Sequence, residues 1–413
     1  MKENETIIKR QKFNTRFKNG DMDFMYNWAV GISQIIGMAP SQIFYALHDI
    51  KDGDPKGWRE GLSRQASLLV GQAKSLLANS ERVAAGQAYL GAAYAYRAAI
   101  QYTSPKSAEF LDWAHAMERV FQEGIKLLGV PMCPIEVPFG GKSLAGYYLE
   151  LDGQARPVVV MIGGGDTFRE DLFYFAGYPG WKRGYNVLMV DLPSQGLMPA
   201  RGLTMQVDMA APIQAALDWM ESNASAKSEQ IAIYGVSGGG YFTAQAVAVE
   251  KRIKAWIAAT PIYDIGLVFK REVGAAMQAP AWAVNTAMRL ASSVNESAAI
   301  NLDKYAWQFG MPDFKSASEA VIKQGRVVDY TNIQCPTLIL ASEGEAAELQ
   351  RQAQVVAQNL TERGVPVTLR NFSAEEGADC HCQLNNLRLA HMVIFDWLDR
   401  IFGHESGDVR LYV

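Results

Sequence analysis

A buried-strand pattern, Ile231-Ala232-Ile233-Tyr234, runs into Gly235-Val236-Ser237-Gly238-Gly239 and then into a helical pattern from Tyr241 to Glu250. Few folds can use that order. Strand, G-x-S-x-G, helix requires a turn so tight that the serine takes a strained backbone conformation and only glycine-sized neighbours fit beside it. Such a turn lifts the hydroxyl above a sheet edge, where a base can reach it. G-x-S-x-G alone is a common pattern, so the surrounding chain has to supply the sheet and the partners.

The surrounding chain supplies a sheet. Ile135-Glu136-Val137 and Ala145 to Leu149 read as short strands either side of a Gly140-Gly141 turn. Pro157 to Ile162, Asn186 to Val190, Ala255 to Ala259 and Thr337 to Ala341 are short apolar runs of the kind buried on both faces of a sheet, and Val367 to Phe372 is the last strand candidate. Helical patterns lie between them, at Val207 to Ser222, Tyr241 to Val249, Ala347 to Leu360 and Leu384 to Phe402. This alternation predicts an α/β fold with a mostly parallel, eight-stranded-type sheet, whose sites form beyond the carboxyl ends of the strands.

Two regions depart from the alternation. Residues 1–130 read as an N-terminal helical cap domain: from Phe24 to Leu128 the chain is rich in Ala and Leu at helical spacing. Tyr89, Tyr94, Tyr96 and Tyr102 lie along it and serve either helix packing or a pocket wall. Residues 131–413 read as the catalytic domain. Within it, 261–327 is a helical insertion over the active site, bearing Phe269, Met277, Trp282, Met288, Trp307 and Phe309.

Composition removes several function classes. The 413 residues are 49% hydrophobic and 20% charged, with a net charge of −4. No basic field faces nucleic acid or an anionic membrane. No apolar run reaches the roughly 20 residues of a membrane span. Met1 to Asp23 is polar and lacks a signal-peptide core, and four cysteines form no disulfide framework, so a reduced cytoplasmic setting is expected. Cys380-His381-Cys382 could suggest a metal. Adjacent ligands point in different directions, however, and no second pair stands at zinc-finger spacing. Neither a metal nor a cofactor is expected.

A serine at neutral pH needs a base, and the base needs an orienting acid. The chain has five histidines. His48 and His115 fall in the helical region, His391 lies inside the last helix, and His404 follows it. His381 sits after the last strand and before the final helix, where the base of such a sheet belongs. The acid is expected between the serine and the histidine. Glu345, after the strand ending at Ala341, is preferred, with Glu343 and Asp264 as competitors. An oxyanion needs two N–H donors. Gly238, directly after the serine, supplies one. Gly163-Gly164-Gly165 supplies the other, with Gly164 preferred narrowly to Gly165. The loop matches neither phosphate-binding pattern, so nucleotide binding is not expected.

Taken together, Gly163 to Thr167, Asp191 to Gly196 with Val207 to Ile213, the Ser237 turn, and Gly377 to Gln383 resemble one branch of the α/β-hydrolases. This branch contains the fungal yellowish-green pigment hydrolases and the bacterial 2,6-dihydroxypseudooxynicotine hydrolases. The helical region, including Gly53 to Trp58, is similar too. The resemblance implies an α/β-hydrolase fold, Ser237 as nucleophile or general base, and His381 as proton shuttle. Family members tend to cleave carbon–carbon bonds next to a ketone, often in polyketides, so a polyketide-like aromatic ketone of secondary metabolism is the implied substrate. Carboxylesterase or thioesterase action, and acyl elimination or transfer in tailoring, are the alternatives, and a non-catalytic binding protein on the same scaffold is a different class. The family acid is usually aspartate, whereas Glu345 occupies the matching position here. The resemblance also implies a substrate contact for Asp166 and a homodimer.

Overall fold

The computed structural model describes residues 9–277, 283, 284, 286, 290 and 296–405. Trp282 and Met288 lie outside the described residues. The chain divides into two compact units, one formed by 1–9, 13–130 and 273–319, the other by 10–12, 131–272 and 320–413. The insertion expected over 261–327 is thus divided. Its central part, 273–319, groups with the N-terminal helices, and its two ends group with the sheet.

The first unit is helical. Its members are α1 (Gly20–Ile32), α2 (Pro40–Leu47), α3 (Pro55–Ala78), α4 (Arg82–Ile100) and α5 (Ala108–Leu127). Asp54 caps α3 through the Gly57 N–H, and Pro55 occupies the first turn, where its missing N–H costs nothing. Tyr94 and Tyr102 are each 1% exposed. Tyr94 meets Phe121 edge-on at 6.4 Å, and Tyr102 meets Trp58 at 5.5 Å. These two tyrosines therefore serve packing. Later in the chain Glu296–Phe309 joins this unit: Glu296 pairs with Arg59, and the Trp307 ring lies 5.2 Å from Phe110.

The second unit carries one eight-stranded sheet in the order β1-β2-β4-β3-β5-β6-β7-β8. The strands are β1 (Met132–Phe139), β2 (Lys142–Leu149), β3 (Arg156–Ile162), β4 (Asn186–Val190), β5 (Ala226–Val236), β6 (Ala255–Ala259), β7 (Thr337–Ser342) and β8 (Val367–Phe372). β1 and β2 form an antiparallel hairpin, β2 pairs antiparallel with β4, and every pairing from β4 to β8 is parallel. The apolar runs read as central strands are buried throughout in β4, β6 and β7. β5 begins five residues before the apolar run read from the sequence, because its polar start, Lys227 to Glu229, is exposed. Parallel strands point their carboxyl ends one way. The residues just past β3, β5, β6, β7 and β8 therefore gather at one edge.

Candidate active site

β5 ends at Val236 and helix Gly238–Val247 begins two residues later. Ser237, between them, has φ 55° and ψ −124°. A non-glycine residue there costs about 1–3 kcal/mol and persists only when its surroundings fix it. They do: the Ser237 N–H donates to the Ala259 carbonyl at 2.9 Å, and its own carbonyl accepts the Gly240 N–H at 2.8 Å. The flanking glycines are required by backbone proximity. A Cβ on Gly235 would stand 2.3 Å from the Gly239 carbonyl oxygen, and one on Gly239 would stand 2.5 Å from that of Gly163.

The glycine loop after β3 lies against this turn. Gln195, fully buried, donates its side-chain N–H groups to the carbonyls of Gly163 and Gly164, the latter at 2.9 Å, and accepts the Leu192 N–H at 2.8 Å. Thr167 also donates to the Gly164 carbonyl, at 3.0 Å. In a planar trans peptide the N–H points opposite to its carbonyl. Drawing both carbonyls to Gln195 therefore turns the N–H groups of Gly164 and Gly165 the other way. The Gly164 N–H has no partner among the described residues. A Cβ on Gly164 would stand 2.7 Å from Ser237 Cβ and 3.2 Å from its Oγ, while the Gly165 nitrogen lies 3.4 Å from the corresponding point on Gly238. The Gly238 N–H opens a helix and has no acceptor inside it. Asp166 is exposed on the same loop. The sequence reading did not single out Gln195, although it lies within one of the motifs used.

His381 comes from the loop after β8 and Glu345 from the loop after β7. His381 Nδ1 and Glu345 Oε1 are 2.6 Å apart, and both residues are buried. The other carboxylate oxygen accepts the Ser342 N–H at 3.2 Å. Of the three acids considered, Glu345 is the one that meets His381. Glu343 makes an exposed ion pair with Lys12, and Asp264 accepts the Leu267 N–H at the start of helix Ile265–Met277. Thr260, just past β6, joins the pair unexpectedly. Its hydroxyl donates to Glu345 Oε1 and lies 3.3 Å from His381 Nδ1. No sequence signal marks Thr260 beyond its place at a strand's carboxyl end before Pro261. Burial works against the imidazolium of His381. The Cys382 sulfur and the Glu345 carboxylate work for it and prevail, so His381 keeps its proton above the ordinary histidine range.

A short segment from the other end of the chain braces both loops. Arg10 bridges antiparallel to Glu345, and its carbonyl accepts the His381 N–H at 2.7 Å. The Lys12 N–H donates to Asp379 Oδ2 at 2.8 Å, and the buried Gln11 side chain lies 3.8 Å from the Cys380 sulfur. The histidine turn is itself unusual, with Cys382 and Gln383 both at positive φ. Gln383 ties it to β7 through Ser342 Oγ at 2.8 Å.

Ser237 Oγ has no hydrogen-bond partner among the described residues. Its turn and the histidine turn share an acceptor, since the Ala259 carbonyl takes the Ser237 N–H and lies 4.0 Å from Cys382 Sγ. Nucleophile–base contacts are often long without substrate. The other histidines lie elsewhere: His404 Nε2 meets the Arg183 carbonyl at 2.9 Å, His48 pairs with Asp49, His115 is exposed, and His391 is buried in helix Leu387–Phe402. Among the described residues no group of three or more His, Cys, Asp or Glu could hold a metal, and no helix is long and apolar enough to cross a membrane.

A serine on a strained strand-to-helix turn, at the carboxyl edge of a sheet with this strand order, defines a hydrolase of the α/β fold. The chain belongs to the esterase FrsA-like family, whose model it matches over residues 56–311. It is similar to the 20-hydroxy-prefusarin hydrolase FUS2 of Gibberella moniliformis, at 28% identity over 385 residues covering 86% of this chain and 90% of that one. It is also similar to hydrolase LUC6 of Fusarium sp, at 25% identity over 94% of this chain and 98% of that one. Among solved structures, a 2,6-dihydroxy-pseudo-oxynicotine hydrolase superposes with a TM-score of 0.69 at 18% identity, covering 92% of this chain and 97% of that one. AbyA5 superposes with a TM-score of 0.60 at 16% identity, covering 87% and 89%. The family resemblance carried by the motifs, and the fold it implies, are borne out.

Proposed function

We propose that the protein is a serine hydrolase in which Ser237 is the nucleophile, His381 the base and proton carrier, and Glu345 the orienting acid. The observation that carries this reading is the buried Glu345–His381 hydrogen bond of 2.6 Å beside the strained Ser237 turn. The substrate proposed is a polyketide-like aromatic ketone with a second carbonyl in the β position, in keeping with a chain similar to a 20-hydroxy-prefusarin hydrolase and a 2,6-dihydroxy-pseudo-oxynicotine hydrolase. His381 takes the Ser237 proton as Oγ attacks the carbonyl. The oxyanion is held by the N–H groups of Gly164 and Gly238. Collapse breaks the carbon–carbon bond, and the departing enolate carbon receives the proton from His381. Water, deprotonated by His381, then attacks the acyl carbonyl, and as the ester bond to Ser237 breaks His381 returns that proton to Oγ, releasing a carboxylic acid. Asp166 is proposed to touch the substrate from the loop edge.

A plain ester or thioester hydrolase, or an acyl-eliminating or acyl-transferring tailoring enzyme, would use the same residues with another leaving group. The family's esterase description favours the ester reading. Incubation with a β-diketone and, separately, an aryl ester decides between them, with intact-mass detection of an acyl adduct on Ser237. Turnover of the ester alone removes the carbon–carbon reading, and undiminished turnover in Ser237→Ala removes the serine mechanism.

A further inference from the structure

Thr260 holds a conformation that needs explaining. It is fully buried, β-branched, and has φ +67°. Positive φ is a genuine outlier for a β-branched residue, because the branched side chain crowds its own backbone. Such strain persists only where the surroundings over-determine it. The Thr260 N–H donates to the Leu340 carbonyl at 3.0 Å, and its carbonyl stands 2.4 Å from where a Cβ on Gly240 would be. The backbone is thus fixed between β7 and the helix that follows Ser237, and it aims the hydroxyl at the Glu345–His381 pair.

We propose that Thr260 is a positioning residue that sets both the tautomer and the proton affinity of His381, acting through Glu345. This rests on the serine–histidine–glutamate reading above. A hydroxyl carries one proton, and here it is given to Glu345 Oε1. That oxygen also accepts the Nδ1–H of His381, and the second oxygen accepts the Ser342 N–H. Three donors therefore converge on one carboxylate. With the threonine proton committed to Oε1, a threonine lone pair faces Nδ1 at 3.3 Å, a second acceptor on the same side. A proton on Nδ1 satisfies both acceptors, whereas an unprotonated Nδ1 would face two lone pairs. The proton stays on Nδ1, which makes Nε2 the nitrogen that would take the proton of Ser237.

The same hydroxyl moderates the carboxylate. Each donor spreads its charge and weakens its pull on an imidazolium. Among the described residues, two groups act most directly on the charge of His381, whose backbone N–H donates to the Arg10 carbonyl. Glu345 comes from the β7 loop and Cys382 from the histidine's own turn, with Tyr234 of β5 beyond the Cys382 sulfur. Lys12, Glu343 and Asp379 form a separate cluster around the N-terminal segment. Removing the Thr260 hydroxyl concentrates charge on Oε1, so His381 should keep its proton to higher pH and serve as a base in fewer molecules near neutrality.

The test uses the full chain and a fluorophosphonate that reacts with an activated serine, followed by intact mass across about pH 5 to 11, a range that spans the raised His381 titration. Thr260→Val keeps the volume and the β-branching, and so the backbone strain, while deleting the hydroxyl. Thr260→Ser keeps the hydroxyl. We expect Thr260→Val to label Ser237 at least about tenfold more slowly at neutral pH, with the midpoint of its acid limb moved upward, and Thr260→Ser to restore both. A Thr260→Val profile coinciding with wild type overturns the proposal, as does equal impairment of both variants with an unmoved midpoint. If the valine variant does not fold, Thr260→Ala removes the same hydroxyl, and an NMR titration of the His381 ring in Ser237→Ala and Ser237→Ala/Thr260→Ala reads the shift without activity. Unlabelled wild type refutes the serine reading itself, an outcome distinct from labelled wild type with an indifferent Thr260.

Discussion

Glutamine at position 345 is the sharpest probe of the acid. It keeps the shape of glutamate but replaces one acceptor oxygen with a donating NH2. The carboxylate serves three donors: His381 Nδ1–H, the Thr260 hydroxyl and the Ser342 N–H. With the amide oxygen toward Ser342, the NH2 faces Nδ1, and the imidazole must move its proton to Nε2. That nitrogen can then no longer accept from Ser237. With the amide reversed, the NH2 opposes the Ser342 N–H, which costs about 1–3 kcal/mol for an unmade buried hydrogen bond. Either way the charge that supports the imidazolium is gone. A wrong-tautomer exchange in a serine triad lowers turnover by about 10⁴, roughly 5 kcal/mol of barrier. We expect fluorophosphonate labelling of Ser237 to slow by about 10³ to 10⁴, with thermal melting used to show that the variant is folded. Glu343→Gln and Asp264→Asn are the controls. The first loses an exposed ion pair worth about 1 kcal/mol or less. The second keeps its helix cap, since asparagine caps as well as aspartate. Both should label within about threefold of wild type. Glu345→Gln labelling at more than a tenth of the wild-type rate, or a collapse in either control, would refute the assignment.

Gly164→Ala puts a methyl group 2.7 Å from Ser237 Cβ; labelling should fall by about 10² or more, and a rate near wild type would remove Gly164 from the oxyanion site. Cys382→Ser removes the sulfur that favours the imidazolium. The acid limb of the labelling profile should then move toward ordinary histidine values, and an unmoved limb would show that Cys382 has no hold on the ring. His391 is buried with neither ring nitrogen in a well-formed hydrogen bond among the described residues, and burial depresses it to about 3, the nearby Tyr174 and Phe175 carbonyls opposing this too weakly. Its contribution to stability is complete above the unfolded value near 6.5 and is lost as pH falls toward 3. His391→Leu should therefore raise the melting temperature, with the advantage growing by about 2 kcal/mol between pH 8 and pH 5; parallel melting curves would contradict this.

The sheet was legible because buried parallel strands leave short apolar runs, and β4 and β6 coincide with theirs. The serine turn was legible because its glycines are dictated by backbone contacts under 3 Å. His381 could be placed by its position after β8, and Glu345 by the loop after β7, since strand order fixes which loops meet. Three things left no such mark. The conformation of Thr260 arises from the clamp between Leu340 and Gly240, and nothing local in the sequence prescribes it. The grouping of 273–319 with the N-terminal helices depends on distant pairs such as Arg59 with Glu296, which periodicity cannot register. Arg10-Gln11-Lys12 is three polar residues without a pattern, and its partners lie in the 340s and beyond.

That segment implies an order of events. Lys12 and Asp379 are 367 residues apart in sequence. Closing a loop of that length costs about 5 kcal/mol in chain entropy before any contact offsets it. The central strands have nearer partners and can pair without it. On the ribosome, the brace emerges ahead of every strand of the sheet and waits through the synthesis of the whole sheet for the loop it holds. A chain can therefore carry a well-formed sheet while its histidine is still unsupported. Activity, more than secondary structure, would report that the two distant ends of the described chain have met.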